Sequence, residues 1–198
     1  MLDFVTYKMK ILITSATSKL SQQLTTDLSA DHQIRLTDLV DFETDFDFVQ
    51  SDLGHESETD ELVKDIDTII HLATLPLALL ENPDDLENLE IDFLTRCTYN
   101  LLYAAVAQNI SNFVFASTLQ LFAKLDQNLT IGPNWRPRPT TDLFPLSRHL
   151  GEFVCREFAR EGQINVSIIR LGDTIDEDTI GAFRQAINST DKWKITHI

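Results

Sequence analysis

Glycine is scarce in this chain. There are six in 198 residues, and none falls before Gly54. Cysteine is rarer still. Cys97 and Cys155 both sit in helix-like stretches, which excludes a disulfide framework and offers no thiolate metal site. The five histidines are scattered without the spacing of metal ligands. Positive charge is also short. Sixteen Lys and Arg face 31 Asp and Glu, a net charge of -15 and a pI near 4.5. Such a surface repels phosphate backbones, so nucleic acid and anionic membranes are poor partners. No apolar run reaches the length of about 18 residues that a membrane span needs. The N-terminus carries Asp3 and only a short apolar run, unlike a signal peptide. A cytoplasmic protein is the expectation.

What is present is an ordinary globular composition, 43% hydrophobic and 24% charged, and a length that suits one domain with a sizeable core. The organising stretch is 10–24, KILITSATSKLSQQL. Ile11, Leu12 and Ile13 form the short apolar run of a buried parallel strand. Leu20, Leu24 and Leu28 recur at helical spacing. A strand that enters a helix through a tight polar turn is the first half of a Rossmann unit. There the helix N-terminus holds a cofactor pyrophosphate. Glycines normally fill the turn; here Ser15, Ser18 and Ser21 stand at G-x-x-G-x-x-G spacing.

Further along, strands are expected at 33–38, 48–52, 67–73, 113–117, 164–171 and 194–198. Helices are expected at 56–64, 84–109, 142–161 and 178–188. An acidic loop lies at 41–47. A long irregular segment with Pro133, Pro137 and Pro139 spans 123–141. The alternation predicts an α/β fold, a doubly wound parallel sheet with core order 3-2-1-4-5-6. Residues 1–8 read as an N-terminal extension and 9–198 as one Rossmann-type dinucleotide-binding domain.

With these landmarks the chain resembles the NAD-dependent epimerase/dehydratase family, the extended branch of the short-chain dehydrogenases/reductases. The likeness runs from Met9 to the C-terminus. Thr14-Ser15-Ala16-Thr17-Ser18-Lys19-Leu20-Ser21 stands where the family has Thr-Gly-Ala-x-Gly-Phe-Ile-Gly. Asp38 ends the second strand, where the family's acid bonds the adenosine ribose and favours NAD over NADP. Asp52-Leu53 matches the pair beside the adenine, and His71-Leu72-Ala73 the segment along the cofactor. The resemblance thus implies NAD binding, at a site weakened by serine, through Ser15, Thr17, Ser18, Lys19, Leu20, Asp38, Asp52, Leu53, Leu72, Ala73 and Arg148.

The catalytic positions depart from the family. Thr118 stands at its Ser/Thr position. Phe144-Pro-Leu-Ser-Arg148-His-Leu-Gly-Glu152 stands at Tyr-x-x-x-Lys-x-x-Gly-Glu. Phe144 has no proton to give or take. Arg148 keeps a cation in a different geometry. Leu94 and Cys97 replace an Asn and a Gly of the long helix. Arg170-Leu171-Gly172 matches the end of the family's sixth strand, and the resemblance implies a Rossmann core with the family's substrate lobe largely missing. The resemblance therefore implies a catalytically impaired dinucleotide-binding or interaction module. The alternative is an active NAD-dependent sugar-nucleotide epimerase, dehydratase or reductase with an atypical site. It also implies a homodimer through helices 84–109 and 142–161. Metal is not expected.

Overall fold

The computed structural model describes residues 8–55, 57–80, 86–126 and 128–198. Residues 1–7 of the expected extension at 1–8, and the expected helix starts at Glu56 and Asp84, lie outside them. Seven parallel strands form one sheet in the order β3-β2-β1-β4-β5-β6-β7. They are β1 Lys10–Thr14, β2 Gln33–Asp38, β3 Asp47–Gln50, β4 Thr68–His71, β5 Asn112–Thr118, β6 Asn165–Leu171 and β7 Trp193–His197. This is the Rossmann-type NAD(P)-binding fold that the alternation predicts. Chain direction reverses its march across the sheet between β1 and β4, which run side by side with Ile11 opposite Thr68. That switch point opens a crevice at the carboxyl ends of the strands.

Period-two alternation divides the core. Ile11 and Ile13 face one side, with Ile70, Val114, Ala116 and Ile169. That side is covered by α1 (Lys19–Leu28) and α7 (Glu177–Ala186). Leu12 faces the other side, with Ile69, Phe113, Phe115, Val166 and Ile168. There lie α2 (Ser57–Leu62), α4 (Leu86–Asp92), α5 (Thr98–Ala107) and α6 (Leu143–Arg160). Leu20, Leu24 and Leu28 are the buried stripe of α1. Asp176 starts α7 with a reciprocal capping box to Thr179. A short helical turn, α3, spans Leu77–Leu80 and is absent from the sequence expectation.

The long helix expected over 84–109 runs without a gap from Leu86 to Ala107, but it is not α-helical throughout. A π-helical turn, Phe93–Cys97, separates α4 from α5. Such turns widen a helix locally and shift its register. Here α6 crosses close by at Gly151. A Cβ on Gly151 would lie 2.6 Å from Phe115 Cζ and 2.9 Å from the Leu94 carbonyl. The π turn and the absent side chain together permit that approach.

Candidate functional site

A cleft of about 390 Å³ lies at the switch point. Ser18, Lys19 and Leu20 form one wall, Leu72 and Thr74 line it at the end of β4, and Ser117 and Thr118 at the end of β5. Phe144 and Arg148 of α6 line it as well. The β1–α1 turn closes without glycine because Ser15 takes the left-handed conformation itself, at φ 60°. Its Oγ accepts from the Thr74 amide at 3.0 Å, which ties the turn to β4. Ser18 caps α1; its Oγ accepts from the Ser21 amide at 3.2 Å. The Lys19 and Leu20 amides are those a helix start leaves open. A cleft at a free helix N-terminus fits an anionic group such as pyrophosphate.

Asp38 is buried. Its Oδ2 accepts from both the amide and the hydroxyl of Thr17 at 2.8 Å, and its Oδ1 from the Leu39 amide at 2.7 Å. The carboxylate therefore braces the turn from within. At the end of β4, His71 is fully buried among Phe93, Phe113 and Phe115. Thr14 Oγ1 accepts from the Leu72 amide and donates to His71 Nδ1 at 2.9 Å. The Thr98 hydroxyl donates to the Leu94 carbonyl, so it accepts from His71 Nε2 at 3.0 Å. This assigns the Nε2–H tautomer. Burial first, and the Arg148 charge second, depress the imidazole pKa to about 3.

Arg148 is also buried, and its guanidinium turns into the sheet. One terminal nitrogen donates to the Leu72 and Ala116 carbonyls, each at 2.8 Å, and the other reaches Thr74 Oγ1 at 3.5 Å. Its Nε has no partner among the described residues. Burial lowers its pKa to about 10, opposed by the Glu90 charge, so it stays a cation at neutral pH. The Phe144 ring lies 5.4 Å from the guanidinium carbon and is 41% exposed. Thr118 Oγ1 accepts from the Gln120 amide at 3.1 Å, leaving its own proton free to donate. Ser117 Oγ is buried without a partner among the described residues.

Of the residues singled out in the sequence, the cleft gathers Ser18, Lys19, Leu20, Leu72, Thr118, Phe144 and Arg148. Ser15, Thr17 and Asp38 lie behind it as supports. Asp52 and Leu53 lie at the end of β3. Asp52 Oδ1 accepts from the Gly54 amide, and Leu53, at φ 54°, gives its carbonyl to Asn100. Ala73, at φ 52°, is buried beside Leu72. Thr74, Ser117, Asp173 and Ile175 were not singled out, and they line the cleft too. Thr74 sits one residue beyond His71-Leu72-Ala73 and Ser117 one residue before Thr118, and hydroxyls at strand ends carry no stronger signal. His149, next to Arg148, faces away and lines a separate cleft. Among the described residues no three of His, Cys, Asp and Glu group to hold a metal ion, and no helix is long and apolar enough to cross a membrane.

No protein of curated function matches the chain by sequence. Solved structures do match in fold. Uronate dehydrogenase from Agrobacterium tumefaciens is 20% identical with a TM-score of 0.83, over 96% of this chain and 76% of that one. A tyrosine-to-alanine variant of that enzyme, in complex with NAD, gives 20% identity and a TM-score of 0.81, over 96% of this chain and 77% of that one. UDP-N-acetylglucosamine 4-epimerase from Bacillus cereus gives 23% identity and a TM-score of 0.65, over 83% of this chain and 53% of that one. The chain thus spans three quarters of the dehydrogenase and about half of the epimerase. A family model matches residues 11–179, most of the chain, and with it the chain belongs to the NAD dependent epimerase/dehydratase family.

Proposed function

We propose that the cleft binds NAD and supports the family's oxidation–reduction chemistry on a sugar substrate without the customary tyrosine. The observation that carries the reading is the cleft itself. One open helix N-terminus, one free hydroxyl proton and one buried cation converge on it. Ser18, Lys19 and Leu20 would hold the pyrophosphate, with Asp38 and Thr17 bracing the turn beneath. NAD, when bound, supplies a hydride acceptor. Thr118 is placed to donate its free proton to a substrate oxygen. The fixed positive charge of Arg148 favours negative charge on that oxygen in a water-poor setting. Phe144 covers Arg148 and transfers no proton, so proton exchange falls to water. Loss of a positioned acid/base costs about 10²–10⁴ in rate, and the reading is of a slow enzyme.

A second reading is a dinucleotide-binding module without turnover. Phe144 and the carbonyl-bound Arg148 favour it. One experiment separates the two. NAD affinity is measured by calorimetry, then NADH formation is followed with galacturonate, glucuronate and UDP-sugars. Binding with slow NADH formation that Thr118→Ala abolishes supports the first reading. Binding with neither NADH nor any altered sugar product supports the second, and absence of NAD binding defeats both.

We further propose a homodimer through α5 and α6. Tyr99, Tyr103 and Phe153 are about half exposed, and Tyr99 stacks on Tyr103 and meets Phe158 edge-on. A monomer mass in sedimentation at micromolar protein would refute it.

A further inference from the structure

A second cleft, of about 460 Å³, lies on the far side of α6, between that helix, the β6–β7 edge and the loop before α6. It shares no lining residue with the cleft described above. Trp135 and Trp193 both line it. Arg136 and Arg156 line it as well, and Arg170 closes its floor. Glu152 is the one acid in the lining, and both its oxygens are taken by Arg170, at 2.8 and 2.7 Å. Arg156 leans on the Phe153 ring and contacts Glu157. Arg136 has no ion pair among the described residues. The Nδ1 of His149 is buried there without a partner among the described residues.

Glu152 offsets Arg170 and Glu157 contacts Arg156, so Arg136 leaves a small excess of positive charge here on a chain of net charge -15. Guanidinium groups on flexible stems pair well with carboxylate and phosphate. Indole faces stack on flat rings. The volume suits a small organic ligand. We propose that this cleft is a binding site for a small anion that carries a flat ring. The acid group meets Arg136 and Arg156, and the ring meets Trp135 or Trp193. Burial first, and then the charges of Arg170, Arg156 and Arg136, lower the His149 pKa from its ordinary value, with Glu152 opposing.

The chain has two tryptophans, and both are in this cleft, so its intrinsic fluorescence reports on this site. The probes are uridine monophosphate and benzoate, with uridine and inorganic phosphate as partial ligands. The full-length chain should show a saturable change with at least one of the two complete probes. Uridine and phosphate alone should bind about tenfold more weakly or worse. The exposed pair Arg136→Ala with Arg156→Ala should weaken the complete probes about tenfold, with circular dichroism unchanged. NAD affinity should be the same in both proteins, which keeps this test independent of the first cleft. The proposal fails if no probe saturates up to about 10 mM, far weaker than millimolar binding. It fails if the double variant binds as tightly as the parent, or if phosphate alone binds as tightly as uridine monophosphate. It fails too if raising the protein concentration until the dimer forms abolishes the response to the probes, since a second copy then fills the cleft.

Discussion

Thr17 and Asp38, 21 residues apart, are joined twice: the amide and the hydroxyl of Thr17 both meet Asp38 Oδ2 at 2.8 Å. The acid at the end of β2 therefore holds the first turn in shape, a task that falls to it in a turn with no glycine. Thr17→Val removes one of the two bonds and should cost about 1 kcal/mol. Asp38→Asn weakens both and the bond to Leu39, and should cost about 1–3 kcal/mol. Urea denaturation of the two single variants and the double variant measures the coupling. Additive losses would show that the two residues act separately.

Ser15 offers a sharper contrast. Its φ of 60° costs a residue with a Cβ about 1–2 kcal/mol, and its hydroxyl returns part of that by accepting from the Thr74 amide. Ser15→Gly removes the strain and the bond together, so stability should stay within about 1 kcal/mol of the parent. Ser15→Ala keeps the strain and loses the bond, leaving the Thr74 amide unpaired, and should cost about 1–3 kcal/mol. Melting curves that rank alanine at or above glycine would contradict this account.

The sheet was legible because its strands are apolar runs and its helices carry leucines at period 3.6. Lys10–Thr14 and Lys19–Leu28 need nothing beyond those patterns. The π turn at Phe93–Cys97 was not legible. It goes with the tertiary approach of Gly151 to the Leu94 carbonyl, which leaves no period in the local sequence. The site was half legible. Motif spacing singles out Thr118, Phe144 and Arg148, and the three line one cleft. It could not show that Arg148 turns into the sheet to meet Leu72 and Ala116, because that depends on where two carbonyls end. Nor could it show that His149, one residue on, serves a different cleft.

Arg148 joins β4 and β5 through those two carbonyls. Arg148→Met takes the charged donor from both carbonyls, leaving Leu72 the Thr74 hydroxyl at 3.3 Å, and should cost about 1–3 kcal/mol. Arg148→Lys restores a donor with a compact head and should recover part of the loss. Phe144→Tyr is different in kind. The ring is 41% exposed, so stability should change by no more than about 0.5 kcal/mol. A tyrosine with no effect on either stability or NADH formation would show that position 144 has lost its old role altogether. A rise in rate under unchanged stability would show that the cleft still accepts the family's chemistry.

The last expectation concerns acid. His71 is buried as the neutral ring, with a pKa near 3 in the folded chain against 6.5 in the unfolded one. Between those values the unfolded chain holds a proton at this site that the folded chain does not. Stability therefore rises with pH across the window and is lost as pH falls from 6.5 toward 3, with a slope near 1.4 kcal/mol per pH unit from this one group. His149 and His197 are depressed in the same sense by burial, so they add to the slope. Carboxylates with lowered pKa values, such as Asp92 beside Arg96, act below their own unfolded value of 3.8. The window from 6.5 to 4.5 is thus the histidines' own. His71→Gln removes the titration and can still bond Thr14 or Thr98, though at a cost in packing among Phe93, Phe113 and Phe115. The variant should be less stable at pH 7.5 and should lose less on going to pH 5 than the parent loses. Chemical denaturation at the two pH values provides the comparison. Equal losses in parent and variant would mean that His71 is already protonated in the folded chain, and that the Thr14–His71–Thr98 tautomer is assigned wrongly.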